Sequence, residues 1–80
     1  KDRVLGIEID GHAKAYPIEV IQDQGGTLED TFQGIPLEIN LSESKEDAYL
    51  TNFPENAKVI NSFWFAWAAF HPDTEIYGES

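Results

Sequence analysis

Cysteine and methionine are both missing from this chain of 80 residues. Without a thiol there can be no disulfide, zinc–thiolate site, iron–sulfur cluster or cysteine nucleophile. The lack leaves the redox compartment open, because a cysteine-free chain folds in either. No methionine stands even at position 1, and the expectation is a single domain over residues 1–80, a module or fragment of a longer protein. Bases are scarce as well. Lys1, Arg3, Lys14, Lys45 and Lys58 are scattered among fifteen acids. A nucleic-acid surface needs clustered Lys and Arg to displace counterions, so no nucleic-acid partner is expected, and an anionic membrane is disfavoured for the same reason. No apolar run approaches the roughly 18 residues that cross a bilayer, so no membrane insertion is expected in this segment. The chain also lacks a GxSxG elbow, a phosphate-loop lysine and a GxGxxG fingerprint. No catalytic set, cofactor or metal cage is expected.

What the chain does have is enough apolar side chain for a core. Hydrophobic residues make up 41% of it, which separates it from a disordered acidic tail although its net charge is −10. At this length one core is near the limit of what holds a fold without staples. The acidic balance keeps the domain soluble by self-repulsion and would suit a cationic partner.

The most concentrated signal lies at Asn61 to Glu75. Residues Phe63 to Phe70 are all apolar, and Phe63, Trp64, Phe65, Trp67 and Phe70 supply half of the chain's ten Phe, Trp and Tyr. Ala66, Ala68 and Ala69 favour a helix, Ser62 or Asn61 is placed to cap it, and Pro72 stops it at or before His71. A helix of about nine residues cannot survive alone in water and needs tertiary packing. The aromatic area predicts that this helix is the centre that the strands close around, or else meets a partner. Phe63, Trp67 and Phe70 share one stripe, and Trp64 and Phe65 form a second surface that either meets another wall of the domain or awaits a ligand.

The rest reads as hairpins. Val4, Leu5, Ile7 and Ile9 lead into Asp10-Gly11, a primed-turn pair, and the return run sets Ala13 and Ala15 on one face and Lys14 on the other. Pro17 ends the pairing, and Ile18 to Ile21 forms a short strand or a helical turn. Thr27 to Phe32 and Ile35 to Leu41 flank Gln33-Gly34 as a second hairpin. Ala48 to Asn52 and Ala57 to Ile60, around a turn at Phe53 to Asn56, read as a third, and Glu75 to Tyr77 as a last short strand. Together these predict an α+β domain: a small, mostly antiparallel sheet, curled or barrel-like, with one aromatic-rich C-terminal helix.

Among polar residues Asp30 is the most informative. It falls on the apolar side of its strand with Leu28 and Phe32, and an inward carboxylate needs a partner such as a backbone N–H or a Tyr hydroxyl. Glu29, Asp30 and Asp23 could also form an acid–base pair, although an acidic chain offers such pairs by chance. His71 with Asp73 reads either as half a site or as a helix-end imidazole followed by an Asp/Thr turn. His12 reads as an exposed strand residue unless the fold brings it to His71. The loop Ser42 to Asp47 is acidic but lacks the alternating ligands and central Gly of a calcium loop.

Three stretches carry a resemblance. DRVLGIEIDGHAKAYPI (Asp2 to Ile18) and FWFAWAAFHPDTEIY (Phe63 to Tyr77) resemble the two ends of the prokaryotic domain-of-unknown-function family 3179, and LEDTFQGIPLEI (Leu28 to Ile39) is similar to its middle. Longer members carry a Tyr-Cys-Pro-x-x-Cys type segment after the strand that here is Ile35 to Leu41. This chain has Asn40-Leu41-Ser42-Glu43 there, so no metal or redox role carries over, and it reads as a short, cysteine-free branch. The resemblance implies an extracytoplasmic location and supplies no activity.

Two functions follow as expectations. The first is a non-catalytic binding or structural module of an exported protein that meets a protein partner through aromatic and acidic surface. The alternative is a small-ligand or enzymatic domain with Tyr16, Asp30 and His71 converging in a pocket walled by Trp64 or Trp67. Weak divalent-cation binding by carboxylates is a third.

Overall fold

The computed structural model describes residues 2–52 and 54–78. Its first hairpin joins β1 (Arg3–Ile9) to β2 (His12–Pro17) through Asp10 and Gly11, both at positive φ, as a primed turn requires. Pro17 then opens a six-residue helix, α1 (Ile18–Asp23), which turns Ile18 and Ile21 inward at helical spacing. The second hairpin, β3 (Thr27–Phe32) and β4 (Ile35–Leu41), turns through Gln33 and Gly34, again both at positive φ.

The expected third hairpin does not form. Strand β5 (Ala48–Thr51) pairs with β4, whereas β6 (Ala57–Phe63) crosses to the other sheet and pairs along β1 from Arg3–Phe63 to Ile9–Ala57. Alternation within each segment reveals a strand but not which neighbour it takes, and β1 had a free edge to offer. Phe53, within the expected turn, lies outside the described residues. After α2 (Trp64–Phe70), the two-residue β7 (Glu75–Ile76) adds to β2 in parallel. The result is two sheets, β6-β1-β2-β7 and β3-β4-β5, in an α+β domain that curls without closing into a barrel.

Strand β1 is buried on both faces, and this divides the interior in two. One face of the four-stranded sheet presents Leu5, Ile7, Ile9 and Tyr16 to Leu28, Phe32, Leu37, Ile39, Ala48 and Leu50 of the second sheet. Helix α1 contacts both sheets and adds Ile18 and Ile21 to this main core. The opposite face carries Val4, Gly6 and Ala15, and α2 lies against it through Trp67.

The aromatic helix is therefore an outer layer, not the centre. None of its residues belongs to the main core, and only Trp67 is buried. The volume between the sheets is already filled by Leu and Ile side chains with Tyr16 and Phe32, so the further aromatic area of α2 could not be accommodated there. The expected cap is also absent. Phe63 occupies the N-cap position, no side chain caps the helix, and the Trp64 N–H instead donates to the Asp2 carbonyl at 2.8 Å. Asn61 is used elsewhere: its amide accepts from the Ala48 N–H at 2.9 Å and donates to the Ala48 carbonyl at 3.0 Å. That side chain gives β5 the pairing a strand would have given it.

Candidate functional site

Strand register determines what meets Asp30. In β1–β2 pairing Leu5 stands opposite Tyr16 and Ile7 opposite Lys14, so Lys14 shares the core-facing side of β2 with Tyr16. Asp30 faces the same interior between Leu28 and Phe32. The three tips meet: Lys14 Nζ donates to Asp30 Oδ2 at 2.7 Å, and the Tyr16 hydroxyl donates to the same oxygen at 2.8 Å. Aromatic rings surround the ammonium. Its nitrogen lies 5.5 Å from the centroids of Tyr16 and Tyr77 and 5.8 Å from that of Phe32, within cation–π range. Tyr77 stacks on Tyr16 at 5.6 Å and is held by its backbone N–H, which donates to the Ala15 carbonyl. Only 13% of the Lys14 side chain and 18% of the Asp30 side chain remain exposed.

This geometry shifts two protonation equilibria away from neutrality. Burial, reinforced by donation to the Asp30 carboxylate, raises the Tyr16 pKa far above that of a free phenol. Burial by itself would raise Asp30 too, but the hydrogen bonds from Lys14 and Tyr16, with the Lys14 charge, outweigh it and lower its pKa. A general acid or base works best with a pKa near the working pH. Here the carboxylate is held ionised and the phenol is held protonated, which suits a structural ion pair.

The other expected site residues lie across the sheet. Trp67 packs on the face opposite Tyr16, its indole N–H donating to Thr74 Oγ1 at 2.9 Å. The His71 ring rests on Trp67 with centroids 3.9 Å apart, and its backbone N–H closes the helix on the Trp67 carbonyl. Trp64 is partly buried beside the same cluster. The structure thus joins Tyr16 to Asp30 and Trp67 to His71, and the four-stranded sheet separates the pairs. His12 does approach His71: both line a groove of ≈ 420 Å³ with Phe70, Asp73 and Glu75. Among the described residues no three His, Asp or Glu side chains gather as a metal-binding group. Glu29 is exposed on the outer side of β3, and Asp23 ends α1, so neither joins Asp30. The acidic loop folds onto Arg3, which donates to the Glu46 carbonyl and pairs with Asp47.

Lys14 was the member that pattern reading missed. Its placement opposite Ala13 and Ala15 was correct, but small alanines mark the side that admits a helix, leaving the lysine on the core side.

The second candidate surface is α2 itself. Phe65 is 71% exposed and Phe70 82%, with Ile60 at 55% and Phe63 at 38%. Phe63 and Phe65 stack at 6.0 Å, and the Arg3 guanidinium lies 5.3 Å from the Phe63 ring. Phe70, expected to share one stripe with Trp67, overhangs the groove beside the β1–β2 turn while Trp67 is buried. No helix among the described residues is long and apolar enough to cross a membrane. Comparison of the chain with family models, curated proteins and solved structures returns no match.

Proposed function

We propose that this domain is a non-catalytic binding module of an exported protein, and that the outer surface of α2 with the adjoining end of β6 is its protein contact. One observation carries the reading: an apolar helix that adds no residue to the main core leaves Phe65 71% and Phe70 82% exposed, with Phe65 stacked on Phe63. Soluble domains rarely leave large apolar side chains clustered in water unless the patch meets something. The Lys14–Tyr16–Asp30 network supports the same reading, because the Tyr16 hydroxyl is shifted up and the Asp30 carboxyl down, both away from a poised acid or base. The enzymatic alternative would have to operate with Tyr16, Asp30 and Lys14, since His71 lies beyond the sheet. Scattered bases keep nucleic acid out of the proposal. The extracytoplasmic location and membership of family 3179 belong to the proposal too, and rest on the three resembling stretches.

The test is site-specific photocrosslinking in cells that make the full-length protein. A photoreactive residue at Phe65 or Phe70 should yield a discrete adduct, and one at exposed Glu29 should not. Equal labelling from all three positions contradicts the assignment.

A further inference from the structure

We infer that a second copy of this chain docks edge to edge along β6, at the β6 end of this surface. The inference rests on the reading of α2 and β6 as a protein contact, and it names the occupant.

The first support is an open edge. Strand β6 spans seven residues and flanks its sheet, and among the described residues no strand pairs with its outer side. Among the described residues the Asn61 side chain reaches across to β5. Natural edge strands are usually blunted by charge, proline or brevity. Strand β6 has one lysine, no proline, and Ile60 standing 55% exposed.

The second support is charge. No Asp or Glu occurs from Ala57 to Pro72, so all fifteen acids of the chain lie elsewhere. A basic partner would be drawn to those other faces. Two copies, each at −10, repel except where acids are missing, and β6 with α2 is such a place.

The third is self-complementarity. An antiparallel pairing centred on Ile60 uses the whole strand, with Ile60 opposite its own copy, Lys58 opposite Ser62, Val59 opposite Asn61 and Ala57 opposite Phe63. No like charges face each other across this register. The two-fold axis runs through the sheet, joining the two four-stranded sheets into one and leaving both α2 helices on the same face, flanking the Ile60 pair.

Sedimentation velocity over a concentration series tests it. The unaltered chain should pass from monomer to dimer. Ile60→Lys, which sets two lysines opposite each other, should stay monomeric throughout with its melting curve retained. Ser62→Glu, placed opposite Lys58, should tighten the dimer roughly threefold to tenfold and Ser62→Lys should weaken it similarly. A chain that stays monomeric at every concentration, or a dimer indifferent to Ile60→Lys and both Ser62 variants, overturns the inference. A monomer that still crosslinks from Phe65 to a different protein overturns only the second-copy assignment. A monomer without crosslinks overturns the contact reading as well.

Discussion

Gly6 and Trp67 are matched: the indole occupies the space where any side chain at position 6 would begin. The missing Cβ is what lets α2 lie on the outer face of β1. Gly6→Val is expected to expel Trp67 and destabilise the domain by about 1–3 kcal/mol, the range for overpacking. Denaturation monitored by tryptophan emission should show both the lower midpoint and a red-shifted folded baseline.

Removing the Lys14 charge should destabilise more than its exposure would imply. Lys14→Met leaves the Asp30 carboxylate in its enclosed position without its ammonium partner, at an expected loss of about 1–3 kcal/mol. Adding Asp30→Leu removes the stranded charge and should recover part of that loss. A double-mutant cycle by urea denaturation measures the coupling.

The same network sets a pH profile. The Tyr16 pKa is raised in the folded state, so its contribution is complete below the unfolded phenol value of about 10 and falls as pH rises beyond it. The Asp30 pKa is lowered, so its contribution is present above the unfolded value of about 3.9 and is lost as pH falls through the folded one. Urea midpoints between pH 2 and 11 (about one unit apart) should trace both limbs. Tyr16→Phe should flatten the alkaline limb, and Lys14→Met should shift the acid limb to higher pH.

Asn61 stands in for a missing strand. Asn61→Ala is expected to cost about 1–2 kcal/mol by leaving the Ala48 N–H and carbonyl without partners. Amide hydrogen exchange should show faster exchange at Ala48 and little change at Ile39, deep in the same sheet.

How legible these features were depends on whether they are local. Asp10-Gly11 and Gln33-Gly34 dictate their hairpins through backbone sterics at adjacent residues, and both form as expected. The need of Asp30 for a donor also followed from its strand face, and Tyr16 supplies one. Partner choice is different. Nothing within Ala57 to Phe63 says that it will pair with β1 rather than with β5, because that choice is settled by edges formed elsewhere. The aromatic helix shows the same limit. Ring area predicts a drive toward burial, but Leu and Ile with Tyr16 and Phe32 already fill the space between the sheets, and Gly6 offers a seat for one indole only.

The central claim is that Phe65 and Phe70 of α2 serve contact and not the fold. Equilibrium urea denaturation of the Phe65→Ser/Phe70→Ser variant, at a concentration where the chain is monomeric, tests it most directly. The account predicts a stability within about 0.5 kcal/mol of the unaltered chain for each site, as for surface positions. A loss of about 3–5 kcal/mol, the scale for truncating a core phenylalanine, would contradict it.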